Sequence, residues 1–230
     1  MRTPRIIQIP DVNNPKLAYE TGVHMGDGTM VVCQNSHYVI YYGNNRNERP
    51  YFKNVIIPIL GSLYGFDKIK LRNFQNTCYV RIYSKNLVKF KSKVVGLPIG
   101  PKDKMNLSVV QKFSNNPELL SNLIAGIFDT DGCVKINRSK YPRFTIGLKH
   151  EKIIRHLKRL LEDYFEIKST VYKCEFFDKR VDKKEVCWRL DINGFENFEK
   201  FMAAIPIRNP KNIERANHII CLGVNHDDRG

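Results

Sequence analysis

Asp27 and Asp131 stand 104 residues apart in the same local setting, "ETGVHMGDG" (20–28) and "IAGIFDTDG" (124–132). Each closes a run of small and apolar residues and is followed by glycine. Read as a helix, each run carries its carboxylate to the C-terminal end, where the macrodipole opposes negative charge. Two such ends side by side would also repel each other, and a divalent cation would reverse that sign. Aspartate oxygens with few other donors suit Mg²⁺, with Mn²⁺ as a substitute. Mg²⁺ keeps several waters and takes one or two protein carboxylates plus substrate phosphates. A centre of that kind suits chemistry on phosphate groups, where a bound metal activates water and offsets charge on the attacked phosphate. No side chain stands out as a general base, so ordered water is expected to accept the proton. Asp129 aligns with Met25 and has no acidic counterpart; it is expected in a supporting role.

The elements around these aspartates repeat. Residues 15–26 read as a helix, with Asn14 as N-cap and Pro15 at the first helical position. Strands follow in "TMVVCQ" and "HYVIYY", then a helix over 51–64 that Pro58 should kink or shorten. "KIKLRNF" and "CYVRIYS" form a hairpin around Gln75–Asn76, a helix covers "KNLVKFKSKVVG", and "LPIGPKDKMN" has a linker's composition. The order then recurs, with Asn116 before Pro117, strands in "CVKINRS" and "RFTIGLK", and the amphipathic helix "EKIIRHLKRLLEDYF". Strands in "STVYKCEFF" and "EVCWRLDI" and helices in "FENFEKFMAA" and "PKNIERANHII" complete it. Both halves read α-β-β-α-β-β-α, an internal duplication. The boundaries expected are an N-terminal extension at 1–14, halves at 15–105 and 118–230, and a linker over 106–117. Gly22, Ala125 and Gly126 should let two helix backbones approach closely, and Gly28 and Gly132 are expected to stop their helices in the left-handed conformation.

The 230 residues carry a net charge of +15 with a pI of about 9.6, which points to a polyanionic partner. Residues 1–105 hold 16 basic and 6 acidic residues, net +10, and residues 106–230 hold 22 and 17, net +5. No apolar run is long enough to span a membrane, and the start lacks a signal peptide's apolar core, so an intracellular place, cytoplasmic or organellar, is expected. The six cysteines show no Cys-x-x-Cys pair, and the histidines show neither zinc spacing nor a His-Asn-His pattern. Strand alternation gives each sheet one apolar face and one cationic face. Lys68, Lys70, Arg72 and Arg81 fall on the cationic face of the first half; Lys135, Arg143, Lys149 and Arg189 fall on that of the second. These eight are the candidate nucleic-acid contacts.

"IAGIFDTDG" closely resembles, and "ETGVHMGDG" more loosely resembles, the two copies of the motif that names the LAGLIDADG homing endonucleases. In the first copy Glu20 and His24 replace apolar residues. Duplication within one chain is similar to the monomeric, pseudo-symmetric members. The resemblance implies an α+β fold of two saddle-shaped antiparallel sheets lying in the DNA major groove, with the motif helices between the halves. It implies that Asp27 and Asp131 are metal-binding catalytic acids, joined as ligands by the carbonyls of Gly26 and Thr130. A double-strand cut across the minor groove leaving 3′ overhangs is implied too. "LPIGPK" (97–102) matches "IPIRNPK" (205–211), which makes Lys102 and Lys211 candidates for charge stabilisation at the scissile phosphates, with Lys104 competing with Lys102. Where the family often has a polar residue at the end of the second strand, this chain has Leu148 and Lys149, with Tyr42 or Gly43 near the equivalent place. The partner expected is a long, non-palindromic DNA site, bound by a monomer encoded within an intron. An RNA maturase, with intron RNA as its partner, and a non-catalytic DNA-binding regulator of the same fold are the alternatives. No splicing block with an N-terminal nucleophile flanks the motifs, which weighs against an intein.

Overall fold

The computed structural model describes residues 7–34, 36–137, 141–178 and 182–227. Among them are two four-stranded antiparallel sheets. The first runs β1-β2-β4-β3, with β1 Gly28–Cys33, β2 Ser36–Asn44, β3 Leu71–Phe74 and β4 Thr77–Tyr83. The second runs β5-β6-β8-β7, with β5 Gly132–Asn137, β6 Tyr141–Leu148, β7 Thr170–Asp178 and β8 Lys183–Asn193. The identical order in both sheets is what a duplication produces, and the α+β class is as the sequence implied.

Each sheet is fed by a motif helix. Pro15–Asp27 is capped by the Asn14 side chain on the Lys16 N–H, and Pro117–Asp131 by Asn116 on the N–H groups of Glu118 and Leu119. The two helices pack backbone to backbone. A Cβ at Gly22 would overlap the Leu123 carbonyl and sit 2.8 Å from the Ile127 nitrogen; one at Gly126 would overlap the Tyr19 carbonyl and sit 2.8 Å from Val23 N. Gly26 makes a third approach, against Thr130, and Ala125 is fully buried. The small residues are therefore the condition for bringing the helix ends together.

Gly28 and Gly132 differ from expectation. Their φ values are −89° and −94°, so both are extended, and each N–H still closes onto the carbonyl four residues back, His24 and Phe128. Helix runs straight into strand. Glycine is required for space instead: a Cβ at Gly28 would lie 2.5 Å from His24 Nδ1, and one at Gly132 would overlap the Phe128 carbonyl.

Pro58 does not shorten its helix. The backbone widens into a π turn over Phe52–Ile56, with the Ile57 N–H bonded to the Phe52 carbonyl, and the helix continues through Pro58 to Tyr64. The "KIKLRNF" strand is shorter than expected. The chain leaves that helix through left-handed Gly65 (φ 70°) and uses residues 67–70 to reach the sheet edge. Pairing starts only at Leu71↔Val80 and ends at Phe74↔Thr77 around Gln75 and Asn76. Lys68 and Lys70 therefore lie outside the strand.

Glu20, the charged residue in the first motif, is buried to 2% exposure and meets a fully buried Lys91 from the Lys85–Phe90 helix and its continuation. Lys91 Nζ lies 2.6 Å from Glu20 Oε2, Tyr64 donates to the same oxygen at 2.9 Å, and Tyr41 donates to Oε1. The pair neutralises itself, and both hydroxyls are satisfied in a core that would not tolerate either charge alone. The second half instead carries an aromatic cluster, with Phe144 stacked on Phe198 at 4.6 Å and tilted against Phe201 at 4.4 Å.

Candidate active site

The approach of Gly26 to Thr130 and Asp131 sets Asp27 and Asp131 at the same end of the helix pair; a Cβ on Gly26 would sit 3.2 Å from Asp131 Oδ2. Burial, then the neighbouring Asp131 and Glu48 carboxylates, push the Asp27 carboxyl up to about 7 against the pull of Lys102 and Lys211. Burial likewise lifts Asp131 to about 6, opposed by Lys102 and assisted by Glu48. Positive charge at this end is thus insufficient for three carboxylates.

Lys102 is half-buried at the start of the Lys102–Lys104 turn. Burial lowers its pKa while Asp131 and Asp27 hold it up. Its loop is pinned to β1 by the Gly100 N–H on the Met30 carbonyl at 2.8 Å. Lys104 is exposed. Lys211 also acts on Asp27 but is ion-paired, its Nζ 2.9 Å from Glu48 Oε1. The two lysines, read as equivalents from the matching proline segments, are inequivalent in the fold.

Glu48 was not singled out from the sequence. It is 9% exposed, and its second oxygen accepts the Asn44 N–H at 2.7 Å. In "GNNRNERP" it reads as one more turn residue before a proline, and nothing in the sequence places it within the field of two motif aspartates.

Asp129 is 1% exposed, and its Oδ2 accepts from Tyr19 at 2.7 Å and from the Arg208 N–H at 2.6 Å. Tyr51 in turn bonds the Tyr19 hydroxyl at 2.7 Å. Asn209 donates at 2.8 Å to the Asp129 carbonyl, which the helix end leaves open, and Asn212 adds a second bond at 3.4 Å to that of Phe128. The Arg208 guanidinium lies 4.0 Å over the Tyr19 ring and bonds Asn122 at 2.6 Å. Asp129 therefore clamps "IPIRNPK" onto both motif helices. Burial raises its carboxyl to about 6 despite these bonds.

An open cleft of about 730 Å³ runs from Gly26, Lys102 and Asp131 past Lys135, Thr145, Lys149 and Arg189. A second groove of about 760 Å³, which shares Lys135 with the cleft, holds Asn47, Lys211, Arg215 and His218. The proposed DNA contacts divide accordingly. Lys135 and Arg189 line the cleft. Lys149 does too, but is paired with Glu185 at 2.6 Å. Arg143 is bonded at 2.8 Å to Asp191, which is buried on the face read as exposed because Thr145 and Tyr172 also cover it. Arg81 stacks on Tyr38 and Tyr79 at 4.9 and 5.4 Å, and Arg72 is exposed on β3. Lys68 and Lys70 are exposed ahead of that strand. Of the strand-end positions, Tyr42 is exposed, Leu148 buried, and Gly43 packed against the Phe52 ring.

The donor set can be tested for metal fit. No group of three or more His, Cys, Asp or Glu surrounds one point among the described residues. Two aspartates, each with a raised pKa and too little cationic compensation, fit a hard cation that retains waters, as Mg²⁺ does. Their ionisation also has a stability signature. Because the folded pKa of Asp27 lies above its unfolded value, metal-free protein carries no penalty below about pH 4. The penalty grows as pH rises and is complete above about 7. Asp27→Asn should therefore stabilise the metal-free chain by about 2–4 kcal/mol at pH 8 and much less at pH 5. Urea midpoints at the two pH values, in EDTA, measure it.

Residues 118–206 match the family model for a LAGLIDADG-like domain. The ATP-dependent DNA helicase Hel308 of Methanocaldococcus jannaschii is 31% identical over 146 residues, 60% of this chain, and the match spans 11% of that protein's length. Among solved structures, a variant of the homing endonuclease I-DmoI, in complex with its target DNA and in the presence of manganese, superposes with a TM-score of 0.58. It is 17% identical, over 87% of this chain and 100% of that one. I-DmoI with DNA and calcium gives 0.57 at 16% identity over 90% and 97%. Full-length WhiA from Thermotoga maritima gives 0.54 at 13% identity over 93% and 62%. With a LAGLIDADG-like domain matched at 118–206, a second sheet of the same order and two motif helices packed through their glycines, the chain has the two-motif LAGLIDADG fold.

Proposed function

We propose that this chain is a site-specific DNA endonuclease that hydrolyses one phosphodiester in each strand of a long, non-palindromic target and leaves 3′ overhangs. The observation that carries the reading is the convergence of Asp27 and Asp131 at one end of the helix pair, under-compensated and beside a cationic cleft. Similar solved structures are of I-DmoI with DNA and manganese, magnesium or calcium, which supports both a duplex substrate and a divalent cofactor.

Asp27 and Asp131, with the Gly26 and Thr130 carbonyls, would hold the cation, which when bound lowers the pKa of coordinated water and offsets charge on the attacked phosphate. Lys102 keeps an ammonium beside both carboxylates, in position to meet an incoming phosphate oxygen. Lys211, oriented by Glu48, brings a second cation to the Asp27 side. Lys135 and Arg189 receive flanking phosphates, a binding mode that weakens steeply with salt. The dissimilar strand faces of the two halves support a non-palindromic site, and two halves in one chain support a monomer.

The test is selection from a randomised duplex library in Mg²⁺, followed by cleavage of the selected site. Supported outcomes are a double-strand cut with 3′ overhangs and complete loss in EDTA. A sequence that is bound but never cut in Mg²⁺ or Mn²⁺ would assign the chain to the binding-only alternative.

A further inference from the structure

Cys174 on β7 and Cys187 on β8 are direct partners in the antiparallel ladder. Directly opposed residues share a sheet face, with Cα atoms about 4.5 or 5.5 Å apart, and both spacings lie inside the roughly 4.4–6.8 Å that a disulfide spans. Both are free thiols and half-exposed. Cys187 lines the cationic cleft, and the Arg189 guanidinium, two residues along β8 and opposite Tyr172, is electrostatically linked to both sulfurs. In the ladders of the described residues Cys33 opposes Ser36, Cys78 opposes Gly43 and Asn73, and Cys133 opposes Thr145. Cys133 shares the sheet, but β6 stands between its strand and β8; Cys78 is buried in the first sheet, and Cys33 and Cys221 are exposed outside the second. Neither residue of the pair has a place in the hydrolytic centre.

We propose that Cys174 and Cys187 form a modification site, a cross-strand dithiol on the cleft face that takes low-molecular-weight disulfides of the glutathione class. One thiolate attacks the small disulfide, breaking its S–S bond, forming a mixed disulfide and releasing one small thiol. The second protein thiolate attacks the mixed disulfide at the protein sulfur, closing Cys174–Cys187 and releasing the other small thiol. The protein loses two electrons and two protons; the small disulfide gains both. This site does not depend on the endonuclease reading, because the exchange needs no DNA or metal.

The test equilibrates the reduced full-length chain with mixtures of oxidised and reduced glutathione, traps free thiols, and maps peptides under non-reducing conditions. The expected result is a Cys174–Cys187 linkage that forms before any other cysteine is modified and titrates as a two-thiol exchange. Cys174→Ser and Cys187→Ser should each trap a glutathione adduct on the remaining partner. Separate adducts on both residues of the unsubstituted chain, a bridge to any other cysteine, or modification of Cys33 with the pair untouched would overturn the proposal. The unsubstituted chain decides this on its own, so a misfolded variant would not blunt the result.

Discussion

Asp27→Asn and Asp131→Asn are each expected to slow cleavage of the selected site by on the order of 10²–10³, a loss comparable to removing one preorganised electrostatic contact to a transition state. DNA affinity should hold or rise. The flanking phosphates are met by Lys135 and Arg189 in the cleft, and each substitution deletes a negative charge facing the duplex. Asparagine keeps the shape of the side chain, so the helix packing through Gly22 and Gly126 is undisturbed. Losing both helix-end carboxylates should give no more than residual cutting, because the two serve one centre and their effects are not additive. Single-turnover assays on an end-labelled duplex separate the strands, and anisotropy measures binding in parallel. Cutting at the wild-type rate by both variants would remove these residues from the mechanism.

Lys91→Met should be the most damaging substitution away from the centre, costing about 3–5 kcal/mol, because it strands the Glu20 carboxylate in a dry core. For a chain of this length that lowers Tm by roughly 10 °C. Tyr41 and Tyr64 still donate to Glu20, but two neutral hydroxyls do not replace an ammonium. Adding Glu20→Gln should recover most of the loss, since the amide oxygen keeps an acceptor for the tyrosines and carries no charge. Thermal melts of the single and double variants decide it. A single variant as stable as wild type would mean that Glu20 is protonated and the pair is not ionic.

The repeat, the succession of elements in each half, the N-caps and the glycine-mediated helix approach were legible because each depends on local pattern or on self-similarity. Asn14-Pro15 and Asn116-Pro117 announce helix starts, and the strand alternation of β4, β6 and β8 is regular. What escaped depends on contacts far apart in sequence. Glu20 and Lys91 are 71 residues apart, and each looks anomalous until the other is placed beside it. Glu48 and Lys211 are separated by 163 positions, so the neutralisation of one lysine but not its counterpart could not be read. Strand alternation also assigns a side to a residue but not its company. Arg143 and Asp191 share the cationic face, and their pairing removes one charge from the expected DNA surface. For Gly28 and Gly132 the residue type was informative and its reason was not: crowding by the preceding turn, rather than a positive φ, excludes a side chain.

Mn²⁺ titration followed by electron paramagnetic resonance tests, without knowledge of the target, whether the motif aspartates form one divalent-cation site. Binding to the wild-type chain at pH 8, strongly weakened at pH 5 where Asp27 and Asp131 take up protons, and absent in the Asp27→Asn/Asp131→Asn double variant is the predicted result. Equal Mn²⁺ binding by the wild type and the double variant would contradict it.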